Sequence, residues 1–243
     1  MFDRPHRRHK LLTHEWVLVS PQRANRPWQG QLEKTSPEVL PCYDPTCYLC
    51  PDNERAGGVK NPPYISSFVF DNDFAAILPE DANHSSAGNQ ESTMFISESE
   101  TGICRVVCFS PRHDLTVPEL LLDEVEEIIN IWSRETDDLQ QYPGIVYVQV
   151  FENKGAVMGC SNPHPHSQIW SQSQLPNEVV KKVSSQHDYF AVYGRPLLLD
   201  YLVEEQQAAE RILAINEDFT ALVPSGGAPR PCRYFSASHL SLR

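Results

Sequence analysis

The chain has 243 residues, enough for one or two domains whose core needs no disulfides. Its net charge of −12 disfavours a sequence-independent grip on nucleic acid or an anionic membrane, although a local basic cleft for one phosphorylated molecule stays possible. Met1–Lys10 is polar and lacks the apolar core of a secretory signal, and no run approaches the roughly 18 apolar residues of a membrane span, so a cytoplasmic protein without a membrane partner is expected.

In chain order, Trp16–Val19 reads as a short strand and Pro21–Gly30 as a basic turn carrying Arg23 and Arg26. The density of Pro, Gly and Asn between Ser36 and Pro63 argues against long elements. Strands are predicted at Phe68–Phe70, Met94–Ser97 and Ile103–Phe109, the last stopped by Ser110-Pro111 with His113 just beyond. After Pro118, Leu121, Leu122, Val125, Ile128, Ile129 and Trp132 recur at helical spacing, with acids between them. Val146, Val148 and Val150 alternate with Tyr147, Gln149 and Phe151, which predicts a strand that ends in Glu152-Asn153-Lys154-Gly155. Ile169-Trp170 marks another strand. Helices follow over about 178–191, with Asn177 as cap, and 198–208, then strands at Ile212–Ile215 and Phe219–Val223. The tail, 225–243, is basic and shows neither a helical stripe nor strand alternation, so it is expected to be poorly ordered.

The seven cysteines are odd in number and scattered, which points to metal ligation or plain burial and not to a disulfide framework. Cys47-Tyr48-Leu49-Cys50 can place two thiolates on one tetrahedral zinc, act as a redox dithiol, or simply pack. His113 and His164, each near a strand end, are the candidates to complete a closed Cys₂His₂ set that would fix loops and leave no open position for water.

The strongest short motif is Gly159-Cys160-Ser161-Asn162-Pro163-His164-Pro165-His166-Ser167-Gln168. Its prolines hold Asn162 and His164 extended, so His164 and His166 share a facing about 6–7 Å apart. One ring can hold a metal while the other attacks phosphorus, provided its second nitrogen parks a proton on a backbone carbonyl. That assigns His166 the nucleophile's role; the bland alternative makes both histidines polar loop residues. Amides around Gly159–Ser161 can form an anion nest, the Ser161 hydroxyl adds a donor, and Arg23 and Arg26 offer forks suited to a diphosphate. Phe70-Asp71-Asn72-Asp73-Phe74 combines aromatic faces with an amide and carboxylates, which suits a base and a ribose, or equally a strand ending in a turn.

These motifs closely resemble the galactose-1-phosphate uridylyltransferases, a branch of the histidine-triad superfamily. The likeness rests on RANRPWQG at Arg23–Gly30, CYLC at Cys47–Cys50, FDNDFAA at Phe70–Ala76, CRVVCFSP at Cys104–Pro111, VFENKGAVMGCSNPHPHSQIW at Val150–Trp170, and LPNE at Leu175–Glu178. It implies an α+β fold, a histidine-triad-like antiparallel sheet with helices packed on it, followed by an incomplete second half. It also implies exchange of a uridylyl group between UDP-glucose and galactose 1-phosphate through a covalent uridylyl-His166 intermediate. By the family's pattern Cys47, Cys50, His113 and His164 hold zinc. Arg23, Arg26, Gly159, Ser161 and Gln168 surround the phosphates, and Leu49, Phe70, Asn72, Asp73, Phe74 and Asn153 lie near the uridine or its diphosphate. Gln168 can give a hydrogen bond but no proton, which suits a sugar-phosphate leaving group and favours transfer over hydrolysis.

The resemblance divides the chain into an N-terminal domain at 1–177, the start of a truncated second domain at 178–224, and the atypical tail. The resemblance implies a homodimer in the family, but none is expected of this sequence, which does not extend over the second half that makes much of that contact. A second metal site is expected to be absent, because Lys182 stands where some members have a glutamate. Ser99-Glu100-Thr101-Gly102 replaces a Ser-Ala-Arg-Gly segment, exchanging a basic group for an acidic one. The competing readings are a related nucleotide hydrolase or phosphorylase, and a zinc-binding form without turnover.

Overall fold

A computed structural model describes residues 4–25, 39–80, 94–155, 158–160, 162–226 and 234–237. Contacts within the chain group it in two units, Lys34–Leu175, and Met1–Glu33 together with Pro176–Arg243.

The first of these units is a four-stranded antiparallel sheet in the order β3-β4-β6-β5, not closed into a barrel, with one long helix on one face. The strands are β3 (Phe68–Asp71), β4 (Cys104–Cys108), β5 (Tyr147–Phe151) and β6 (His166–Gln172). Alternation along β6 decides what each face carries: Ser167, Ile169 and Ser171 are buried, while His166, Gln168 and Trp170 occupy the opposite face. Register aligns Phe68, Cys108 and His166 in one row across that face, and Phe70, Val106, Gln168 and Phe151 in the next.

Helix α1 (Leu122–Gln140) covers the other face. Its first turn carries Asp123 and Glu124, favourable at the positive end of the helix dipole, and Glu124 Oε2 accepts from the Leu121 amide at 2.8 Å. The buried stripe is Ile128, Ile131 and Leu139, which packs with Val107, Phe109 and Ile169. The sequence placed this stripe too early: Leu121, Leu122 and Ile129 are exposed, and Ile131 takes the inward position. Ile128 and Trp132 are the predicted positions that pack, Ile128 within the buried core and Trp132 against it, its Nε1–H donating to Ser167 Oγ at 2.8 Å.

Arg105 pins β4 to α1 through Glu135 at 2.5 Å and Asp138 at 2.8 Å, with Asp71 at 3.4 Å. Its side chain is 14% exposed, so Arg105→Met leaves the half-buried Glu135 carboxylate without its cation. The expected result is a loss of about 1–3 kcal/mol, read as a lower urea midpoint at unchanged slope; a change within about 0.5 kcal/mol would refute it.

The other unit contains the hairpin β1 (His6–Lys10) and β2 (Glu15–Val19), helices α2 (Asn177–Tyr193) and α3 (Leu197–Ala208), and a three-stranded sheet of β7 (Ile212–Ile215), β8 (Phe219–Leu222) and β9 (Tyr234–Ala237). Ser185 donates to the Leu11 carbonyl and Lys181 pairs with Glu15 at 3.0 Å, which ties α2 to the hairpin. Pro176, not Asn177, occupies the cap position of α2.

Three further differences from the sequence reading have local causes. Met94–Ser97 forms no strand, and Met94, Phe95 and Ile96 lie exposed, because a short apolar run gains nothing without a sheet to join. The hairpin strand β1 was unpredicted; its basic residues carry no apolar alternation, and its pairing comes from β2. Strand β9 lies inside the tail, where no strand was expected: the open edge of β8 offers unpaired backbone groups that the tail's backbone meets. Among the described residues no helix is long and apolar enough to cross a membrane.

Candidate metal centre and active site

Cys47, Cys50, His113 and His164 are all buried, and one ligand atom from each lies within 4.8 Å of the others. Three segments supply them: the Cys47–Cys50 turn, the loop after β4, and the extended stretch before β6. Asn53 Nδ2 donates to the carbonyls of Asp44 and Cys47, each at 2.8 Å, and Asn61 Nδ2 to those of Tyr48 and Cys50, each at 2.9 Å. These two amides clamp the cysteine turn from both sides. The His113 amide donates to the Cys42 carbonyl at 2.9 Å, bringing the loop after β4 to the same place.

Spacing and proton placement both suit a divalent cation. Cys50 Sγ lies 3.6 Å from His113 Nδ1 and 3.5 Å from His164 Nδ1. Tetrahedral zinc, with Zn–S about 2.3 Å and Zn–N about 2.0–2.1 Å, separates sulfur from nitrogen by about 3.5–3.6 Å. His164 Nε2 lies 3.0 Å from the Ser110 carbonyl, which can only accept, so the proton sits on Nε2 and the Nδ1 lone pair is left for a ligand. The Tyr64 hydroxyl, 3.1 Å from the same nitrogen, donates to the Leu49 carbonyl and shares the Nε2 proton as an acceptor. Cys47 Sγ lies 3.4 Å from both the Leu49 amide and Asn162 Nδ2, donors suited to a thiolate.

Burial, and then the nearby His113, lower the His164 pKa to about 4, so the ring is neutral near pH 7. Burial pushes the Cys50 thiol up to about 11, a cost that a cation beside it would reverse. Cys108, which packs with Cys47, Leu49 and Cys50 but is not one of the four, is pushed up to about 12 by its burial, and burial followed by Cys108 raises the Tyr64 phenol.

His166 opens β6 beside this cluster. Its Nδ1 lies 2.7 Å from the His164 carbonyl, which places a proton on Nδ1 and leaves the Nε2 lone pair free. His164 therefore contributes its ring to the cluster and its backbone oxygen to His166. Asn162 Oδ1 accepts from the His164 amide at 2.9 Å and holds that residue from the other side. Gln168 is oriented by Trp170, whose Nε1–H donates to Gln168 Oε1 at 3.0 Å and so turns the NH₂ end away from the indole. Phe151 packs edge-on against Trp170 at 5.3 Å.

The other expected site residues are distributed unevenly. Phe70 shares the His166 face, and one side of its ring is occupied by Arg55 at 3.8 Å. Asn72 donates its backbone N–H to the Cys104 carbonyl at 2.8 Å and caps the Phe74 amide through Oδ1 at 2.9 Å; Phe74 is exposed. Leu49 is fully buried with Val106 and Cys108, where it supports the cysteine turn from within. Asn153 lies two residues past Phe151, and Gly159 has φ +81, a backbone state that favours glycine. Arg23 lies exposed in a short 3₁₀ turn, Pro21–Asn25, in the unit that holds the hairpin. Arg26 and Ser161 lie outside the described residues. Glu100 is engaged within the fold, its Oε1 accepting from the Ser173 amide and hydroxyl at 2.7 and 2.8 Å.

Sequence reading missed Arg55, Tyr64, Ser110 and Trp170 as partners of the site. The signals available were faint: Ser110 adjoins a strand-ending proline, and Trp170 stands two residues beyond Gln168 on a strand, hence on the same face.

An antiparallel sheet whose one face presents a histidine with a parked Nδ1 proton, beside a Cys₂His₂ cluster able to hold a metal ion, defines a histidine-triad-like α+β protein. More narrowly, the chain belongs to the family described as galactose-1-phosphate uridyl transferase, N-terminal domain, which it matches over residues 1–176. The galactose-1-phosphate uridylyltransferase of Haemophilus influenzae is 48% identical over 224 residues, 91% of this chain and 62% of that protein. The Saccharomyces cerevisiae enzyme is 43% identical over 90% of this chain and 62% of its own length, and the Rattus norvegicus enzyme 43% over 91% and 57%. The chain thus spans less than two thirds of these relatives. A uridylyltransferase mutant structure superposes with TM-score 0.67 at 20% identity, covering 96% of this chain and 65% of that one. The ADP-glucose phosphorylase of Arabidopsis thaliana, with bound ADP-glucose, gives TM-score 0.63 at 24% identity over 92% and 64%.

Proposed function

We propose that this chain carries the uridylyl-accepting half of a galactose-1-phosphate uridylyltransferase, with His166 as nucleophile. The observation that supports this most is the 2.7 Å bond from His166 Nδ1 to the His164 carbonyl. It fixes the tautomer in which Nε2 carries no proton, on a half-buried ring at the start of β6.

In the first step Nε2 attacks the α-phosphorus of UDP-glucose. The N–P bond forms as the bond to the β-phosphate oxygen breaks, and glucose 1-phosphate leaves as an anion that needs no proton. The ring becomes cationic, and its Nδ1–H stays bonded to the His164 carbonyl, which stabilises that charge. Gln168, turned by Trp170, gives an N–H to a phosphoryl oxygen. In the second step a phosphate oxygen of galactose 1-phosphate attacks the same phosphorus, the N–P bond breaks, and UDP-galactose departs with His166 restored. Cys47, Cys50, His113 and His164 would hold zinc, whose charge neutralises the thiolates and fixes the three segments that position His164.

The test uses the chain as it stands. Incubation with UDP-glucose labelled in the uridine should release glucose 1-phosphate in amounts matching the enzyme and leave one uridylyl group on the protein. Release of UMP without an adduct would favour hydrolysis, and an absence of both products would leave a metal-binding protein without this chemistry.

A further inference from the structure

Arg55 lies on the same face of the sheet as His166, above Phe70, and no sequence motif marks it. Its guanidinium stands 3.8 Å over the Phe70 ring, and its Nη1 is 3.6 Å from Asp73 Oδ1, beyond hydrogen-bond length. The side chain is 10% exposed, and both Nε and Nη1 are buried without a hydrogen-bond acceptor. A buried cation with unmet donors is costly and calls for an explanation.

Direct contact with a ligand is not that explanation. Atoms without accessible surface cannot be touched by a group larger than water, so Nε and Nη1 act through what already lies against them. Those neighbours are a ring and a carboxylate, and Asp73 is 21% exposed, so it can meet Arg55 on one side and a ligand on the other. The backbone holds Arg55 in this position, because its amide donates to the Val59 carbonyl at 2.7 Å, across a tight turn containing Gly57 at φ +73 and Gly58 at φ +78.

We infer that Arg55 is a positioning residue for the nucleoside pocket, holding the Phe70 ring flat and the Asp73 carboxylate in line for a ribose hydroxyl. The inference rests on the proposed function, which places Phe70 and Asp73 beside the uridine. A shift of Asp73 toward Nη1 by about 0.7 Å would bring the pair to ordinary hydrogen-bond length. The pocket then tightens when a ligand aligns the carboxylate.

The test compares binding of UMP and 2′-deoxy-UMP to the wild-type chain, Arg55→Met and Arg55→Lys by titration calorimetry. Wild type should prefer UMP. Arg55→Met should bind UMP about tenfold more weakly and lose the preference, while its metal content stays at the wild-type level. Arg55→Lys keeps the charge and should recover part of both. Equal weakening toward the two nucleotides, the signature of a merely structural arginine, or unchanged binding by Arg55→Met, would overturn the inference while leaving the proposed function intact. If wild type binds neither nucleotide, both fall. Should Arg55→Met fail to fold, the lysine variant decides: retained preference supports the inference, and equal weakening overturns it.

Discussion

His166→Ala will form no uridylyl adduct and release no glucose 1-phosphate from UDP-glucose, a drop of at least about 10⁴-fold in the labelling rate. The size follows from the role, since removing the attacking atom removes the covalent step altogether and leaves only whatever rate the pocket lends to water. The same change should spare the fold. His166 is half-buried at the edge of the cluster, and its Nδ1 bonds to a backbone oxygen that water can satisfy in its place. Metal content and thermal midpoint are therefore expected to stay close to wild type. Labelling that survives in His166→Ala would refute the nucleophile, and labelling lost together with the metal would mean that the variant acts through the cluster.

Cys50→Ser will do the opposite, losing the metal first and labelling as a consequence. An ion present at about 1,000 times its Kd contributes about 4 kcal/mol to the folded state, so the variant, or the wild type after chelation, should unfold at markedly lower urea. Metal affinity should also rise with pH. The Cys50 thiol, pushed up to about 11 by burial, must give up its proton before it can ligate, so the metal-bound state holds fewer protons and low pH favours the metal-free one. His164 adds little to this near neutrality, because its folded pKa is already lowered to about 4. Below about pH 6.5 its sign is also adverse: an unfolded histidine takes up a proton that the folded ring refuses, so stability falls further between about pH 6.5 and 4. Chelator competition across pH 6–8 checks this. An affinity flat over that range would contradict a thiolate ligand set.

What the sequence revealed of this site was the part written in short spacing. Cys47 and Cys50 declare themselves by two intervening residues, and His164 and His166 by the prolines that hold them extended. The alternation of β5 and the helical period of α1 were legible for the same reason, since each repeats within one element. Residues that act only through tertiary approach left no such trace. Tyr64 reaches His164 across a separation of 100 residues and Ser110 across 54, and neither belongs to a pattern with it. Arg55 reads as a charged residue in a Gly-rich turn until the fold places Phe70 beneath it. The inward stripe of α1 also depended on the sheet, because periodicity places a stripe only to within a residue or so, and Val107 and Ile169 choose which side is buried.

The dual use of His164 has a consequence for how this protein can be probed. Its imidazole is open to replacement, but its carbonyl, the partner of His166, belongs to the main chain and survives every one of the nineteen other amino acids. A comprehensive mutational scan would score position 164 wholly by its ring and would be blind to the oxygen. Only a change in the polypeptide linkage itself, such as an ester in place of the amide entering Pro165, could weaken that acceptor and expose how much of the reactivity of His166 is borrowed from it.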